Sequence, residues 1–237
     1  MSNPTTDIAV LDAELAKEAQ SIKTQIAAPT SPKLSIDKNG NWVAPDGRVF
    51  GEEIRGVVVD FVSANRFYDR PYDPSNPMVP ACFSIGKVLA DMKPSTNSPT
   101  PQHDVCVDCQ HNQFGSRGNG KACKNTREIA FMLESDFEDA NAPLYLISVP
   151  PTGLKAFDSF VNAVARLFDG PPLKALVSVR VVAQATYFTM KFVDIAPNPE
   201  YKDFAAMRGE ALDMITREPD VSQYVPLKTA RPAAARR

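Results

Sequence analysis

The sequence predicts a mainly β chain with flanking helices, an α+β arrangement. Three observations carry this. Five segments read as strands: 54–62, 128–133, 144–149, 176–184 and 186–193. Two helical patterns accompany them, one between the third and fourth strands and one after the fifth. A Pro- and Gly-rich stretch holding all four cysteines separates the first strand from the second.

The elements follow in chain order. Asp7 to Ala27 is Ala-rich, with Ile8, Leu11, Leu15, Ile22 and Ile26 at near-helical spacing, an amphipathic arm. Glu18 and Gln25 interrupt any heptad seam. Ala28–Pro32 is a linker. Leu34–Ile36 and Trp42–Val43 flank Asn39-Gly40, a hairpin signature. Ile54–Val62 (IRGVVVDFV) is the first long strand. Arg66–Pro80 is irregular and contains four prolines. Ile129, Phe131 and Leu133 alternate in the second strand, and Leu144–Val149 forms the third. Thr152 is a plausible N-cap for a helix whose face is Leu154, Phe157, Val161, Val164 and Phe168, and Gly170-Pro-Pro172 stops it. Val177, Val179 and Val181 alternate in the fourth strand, and Phe188, Met190 and Phe192 in the fifth. Glu200–Arg217 is a last helix, with Phe204, Met207, Ala211 and Met214 inward.

This order is that of a five-stranded barrel of the oligonucleotide-binding type. Such barrels use strands two and three and the loops after strands one and four for binding. The expected organisation is an arm and linker (1–32), a barrel (33–195) with a loop insertion at 80–127, a C-terminal helix (196–225) and a basic tail (226–237).

The insertion carries the chemistry. Cys106-Val-Asp-Cys109 lets two thiolates hold one metal from a tight turn, and Cys82 and Cys123 offer two more. Zinc takes four such ligands in a tetrahedron. It would order a segment that apolar burial cannot. His103 and His111 flank the pair, and either can stand in for Cys82. Unliganded thiols are the simpler alternative. A thioredoxin-like redox motif is disfavoured, because no strand leads into Cys106. Gly115-Ser-Arg-Gly-Asn-Gly120-Lys121 mimics a phosphate-binding loop, but Ala122 replaces the required Ser or Thr and no apolar strand precedes it.

Charge and aromatics cluster here too. Gln110 to Arg127 contains Arg117, Lys121, Lys124 and Arg127 and no acid, with Phe114 among them. Arg66, Phe67, Tyr68, Arg70 and Tyr72 lie just before the insertion. Cations that follow phosphates and aromatics that stack bases are what single-stranded nucleic acid requires. The plain alternative is that these aromatics pack under the loop and the cations are solvated. The net charge of the 237 residues is -2, which excludes a polycation but not a local basic surface. No apolar run reaches the ~20 residues of a membrane span. The start has no signal-peptide core, so a cytoplasmic protein is expected, in which cysteines favour metal or free thiols over disulfides.

Pro80-Ala-Cys82-Phe-Ser, Cys106-x-x-Cys109, Asn112-Gln-Phe114-Gly-Ser116 and Gly120-Lys-Ala-Cys123-Lys together resemble a group of bacteriophage single-stranded DNA-binding proteins. More broadly they are similar to phage helix-destabilising proteins, which carry a zinc module inside an oligonucleotide-binding barrel. The resemblance is sharp over 57–127, looser to 193 and absent at both ends. It implies a non-enzymatic protein of the host-cell cytoplasm that coats single strands in DNA replication or recombination. It also implies structural zinc on Cys82, Cys106, Cys109 and Cys123, and DNA contacts from the 66–72 and 117–127 runs. Many single-strand binders end in an acidic tail, whereas here Lys228, Arg231, Arg236 and Arg237 make it basic. Two rival readings remain. One is a nuclease using Asp104, Asp108 or the Glu134–Asp139 acids with magnesium. The other is a zinc-stabilised adaptor whose N-terminal helix binds a second copy or a replication protein.

Overall fold

A computed structural model describes residues 32–71, 78–139 and 142–225. The N-terminal arm, Tyr72 and the basic tail lie outside the described residues. The architecture is mainly β with a few helices. None of the described helices is long and apolar enough to cross a membrane.

Strands β1 (Ser35–Ile36), β2 (Trp42–Val43) and β3 (Val49–Gly51) form a small antiparallel sheet. The hairpin expected at Asn39-Gly40 is its first turn. A six-stranded sheet is built around β4 (Glu53–Phe67), a strand longer than its apolar run suggested. One edge of β4 pairs with β6 (Cys123–Leu133). The other edge is shared: residues 53–57 pair with β8 (Ala175–Ala183), and residues 63–67 pair with β5 (Cys82–Gly86). β7 (Tyr145–Val149) extends the sheet beyond β6, and β9 (Phe188–Pro197) extends it beyond β8.

The barrel expectation is corrected here, because the sheet is open. β7 and β9 do not pair with each other. β7 is only five residues long, and its outer edge receives one short parallel contact. There Leu34 N–H donates to Leu146 O at 2.9 Å, and Leu146 N–H donates to Pro32 O at 2.9 Å. The small sheet supplies part of the cover that a closed barrel would provide for itself. Trp42 is fully buried, and its indole N–H donates to Val179 O at 3.1 Å.

Both faces of β4 are covered, which explains its nearly unbroken apolar run. Ile54 and Val58 face helix α1 (Leu154–Phe168). Val57 and Val59 face helices α2 (Tyr201–Ala206) and α3 (Arg208–Ile215). A register shift between Val58 and Asp60 then changes the alternation. Phe61 consequently packs edge-on against Phe157 at 5.0 Å. Asp60 lies between the layers, where Lys87 Nζ (3.1 Å) and Arg208 Nη2 (2.9 Å) neutralise it.

Helix α1 is amphipathic as expected: Phe157 and Val164 are buried, Leu154, Val161 and Phe168 pack half-buried against the same core, and Phe160 joins them. Its N-cap is Gly153 rather than Thr152, after a 3-10 turn over Pro151–Gly153. At its C-terminus Lys174 Nζ donates to the carbonyls of Phe168 (3.1 Å) and Asp169 (2.9 Å), satisfying orphan acceptors. The single helix expected after β9 is two short ones, α2 and α3.

Gly56 is required by close approach. A Cβ there would meet Met132 O at 2.0 Å and Phe131 Cε1 at 2.9 Å. Gly56→Ala must therefore push β4 away from β6. We expect a loss of about 1–3 kcal/mol, read as a lower urea midpoint with unchanged slope.

Candidate metal and nucleic-acid site

The insertion is more ordered than its composition suggested, because its ends are strands. Cys82 opens β5 and Cys123 opens β6. Both are registered opposite Phe67 at the end of β4, one on each side. Between them the chain returns to the same place. Thr100 N–H donates to Ala81 O at 2.7 Å, and Cys106 N–H donates to Met92 O at 2.9 Å. The result is one cavity of about 20 Å³, lined by Cys82, Cys106, Cys109 and Cys123 together with His103 and His111. That is room for a single water-sized body.

All four cysteines are free thiols. Cys82 and Cys109 are buried. The Cys106 thiol donates to Ser84 Oγ at 3.2 Å. Burial, and then the neighbouring thiols, push Cys123 up to about 12. Burial likewise raises Cys82. Among the described residues no three His, Cys, Asp or Glu side chains stand in metal-holding geometry. The donor chemistry nevertheless fits zinc: four soft sulfur donors converge on one small cavity. The histidines have other contacts. His111 stacks on Phe67 at 4.2 Å, and His103 Nδ1 accepts from Val105 N–H at 3.1 Å.

The loop after Cys109 is fixed by side chains acting on backbone. Asn112 Nδ2 donates to Cys106 O at 2.8 Å, and Gln113 Nε2 donates to Val107 O at 2.7 Å. Ser116 Oγ accepts from Ala122 N–H at 2.9 Å. Gly115 and Gly118 adopt φ of 88° and 57°, the left-handed region that lets the loop turn back. Sequence reasoning missed the amide chain beneath it. Asn125 Nδ2 donates to Asn65 Oδ1 (2.6 Å) and to Asn112 Oδ1 (2.9 Å), which also accepts from Lys121 Nζ at 3.3 Å. Three asparagines from three segments carry no spacing signal.

The sequence-derived contact residues separate into two groups. Arg66, Phe67 and Arg127 have structural partners. Arg66 Nη1 lies 2.6 Å from Glu128 Oε1, and Arg127 Nη2 lies 3.2 Å from Asp158 Oδ1 of α1. Phe67 lines the cysteine cavity. Tyr68, Arg70, Arg117 and Lys124, with Met78, line a separate surface groove of about 240 Å³. Lys124 Nζ lies 5.3 Å from the Tyr68 ring centroid. Burial raises the Tyr68 hydroxyl pKa. Phe114 is 80% exposed at the loop tip, with Lys121 Nζ at 5.1 Å from its ring centroid. Among the described residues, no carboxylate stands within ion-pair distance of Arg70, Arg117, Lys121 or Lys124.

The acids of the nuclease reading are dispersed. Asp104 and Asp108 are exposed, Glu134 pairs with Arg55 at 3.1 Å, and Asp136 faces Arg48 at 3.8 Å. Neither the protein-family models nor the curated proteins yield a match to this chain.

Proposed function

We propose that this protein coats single-stranded DNA in phage replication or recombination, largely without regard to sequence, and that a structural zinc bound by Cys82, Cys106, Cys109 and Cys123 shapes its binding loop. Two observations carry the reading: the groove of Tyr68, Arg70, Arg117 and Lys124, and the exposed Phe114–Lys121 pair on the loop that bears Arg117. Cations without carboxylate partners attract phosphates, and an exposed ring offers a base a stacking surface. Four thiolates close the shell of a zinc ion and leave no open position, so the metal has no catalytic part here. The order β4, β6 and β7, then α1, then β8 and β9, is the strand and helix order expected from the sequence, carried here by an open sheet. The N-terminal arm remains the expected site of self-association or of a replication partner.

Fluorescence titration with oligonucleotides at several salt concentrations tests the proposal. Lys121→Ala with Lys124→Ala should weaken binding to all sequences alike. It should also flatten the salt slope by roughly 1.4, at about 0.7 per phosphate on a single strand. Phe114→Ala should cost about 1–3 kcal/mol of affinity while the slope holds. Equal affinity for duplex DNA would overturn the proposal. Labelled strands that shorten in the presence of magnesium would favour the nuclease.

A further inference from the structure

A second cleft, of about 230 Å³, lies against the cysteine cavity. Asn65 and Asn112 line both. Its floor is the sheet. Asn125 and Arg127 stand two apart on β6 and so share a face, and the register sets Asn65 of β4 opposite Asn125. Lys121 and Asn112 come from the cysteine-bearing segment, and Leu89 and Val107, each 52% exposed, give the cleft apolar walls. The volume is below the roughly 300–1,000 Å³ of sites for drug-sized molecules and suits one flat polar ring.

The amides of this cleft have a fixed sense. The Cys106 carbonyl can only accept and Lys121 Nζ can only donate, so Asn112 turns Nδ2 to the first and Oδ1 to the second. Asn125 must then offer Nδ2 to Asn112 Oδ1, and its other N–H goes to Asn65 Oδ1. Both donors of Asn125 are spent, while its Oδ1 has no hydrogen-bond partner among the described residues. Arg127 is only 9% exposed and commits Nη2 to Asp158. Its Nε and Nη1 have no partner among the described residues. An unspent acceptor and unspent donors thus line one small cleft.

We infer that this cleft takes one unpaired base of the bound strand, Asn125 Oδ1 accepting from its pairing edge and the Arg127 guanidinium donating to the acceptor beside it. The inference rests on the function proposed above and adds a base subsite to it. Every base carries a donor next to an acceptor on that edge, so the subsite tolerates any sequence. In a duplex the same edge is occupied by the partner base, so the cleft admits single strands alone. Lys121 reaches from the cleft to within 5.1 Å of the Phe114 ring centroid. A phosphate held by Lys121 therefore links the base in the cleft to a neighbour stacked on Phe114.

The test compares a thymidine oligonucleotide with its N3-methylated analogue, which keeps the stacking ring but loses the edge donor. The full-length protein should bind the unmodified strand roughly 3–10-fold more tightly, the worth of one hydrogen bond. Phe114→Ala should weaken both strands and keep that ratio. Asn125→Ala should bring the ratio close to one. Because Asn125 also joins the amide chain, Leu89→Trp serves as a second variant: its bulk closes the cleft from an exposed position and should likewise remove the ratio. Equal affinity of the unaltered protein for the two strands, or a ratio that survives in either folded cleft variant, overturns the inference and leaves the groove and Phe114 as the binding surface. No binding of either strand by the unaltered protein overturns the proposed function, and this inference with it.

Discussion

Cys109→Ser is expected to take the protein from about one zinc per chain to none and to release the segment between β5 and β6 to proteolysis. The expectation follows from the placement of the four thiols. Cys82 and Cys123 sit on the sheet, while Cys106 and Cys109 sit on the loop, so a metal shared by all four would tie one to the other. Binding free energy at a structural zinc site is largely folding free energy for what it holds. Here that is the segment bearing Phe114, Arg117 and Lys121, so DNA affinity should fall with the metal. The sheet has its own core on both faces, and its circular dichroism should persist. Elemental analysis and limited proteolysis read the result. Zinc-free unaltered protein whose loop resists protease would end the zinc proposal. Zinc retained in Cys82→Ser and lost in His103→Ala would move the fourth ligand to the histidine.

Arg66→Ala should lower stability by about 3–5 kcal/mol, far more than loss of an exposed cation. Its partner Glu128 is 3% exposed and also accepts from Thr126 Oγ1 (2.8 Å) and Ser148 Oγ (2.5 Å). Burial alone would raise the Glu128 pKa, but the Arg66 charge and these hydrogen bonds outweigh it and hold the carboxyl below 4.5. A depressed pKa in the folded state stabilises above the unfolded value, and that contribution is lost as pH falls through the folded value. The gap between unaltered protein and Arg66→Ala should therefore narrow in acid, below about pH 4.5. Urea unfolding across that range measures it. An Arg66→Met, Glu128→Leu pair should recover much of the loss, because apolar replacement of a buried ion pair is often neutral. A single variant that unfolds like the parent but binds DNA weakly would return Arg66 to the contact surface.

This second case shows what the sequence can convey. Arg66 stands beside two aromatics and before a cysteine loop, the same local context as Arg70. Only the pairing of β4 with β6 distinguishes them, because it brings Glu128 across the strand from Val62 and within reach of Arg66. Arg127 was likewise indistinguishable from Lys124 until Asp158 on α1 came opposite. Local patterns served better where burial enforces them. The Val177-Val179-Val181 alternation became β8, and the Phe157–Val164 face became the inner side of α1. Barrel closure was not legible, since it depends on how two strand edges far apart in sequence come to lie. The strands of the small sheet are two or three residues long, too short to carry a period.

The divided edge of β4 also imposes an order on biosynthesis. The upper part of the strand finds β5 and then β6 soon after translation, through Phe67–Cys82 and Phe67–Cys123. The lower part must wait, because Glu53 pairs with Arg180 and Val57 with Leu176. Until Ala175–Ala183 leaves the ribosome, the backbone of 53–57, adjoining Val58 and Val59, has an open hydrogen-bonding edge. Such an edge is a template for pairing with other chains. A nascent chain stalled between β7 and β8 would therefore be prone to aggregate through residues 53–59, even with its cysteine-bearing segment fully formed.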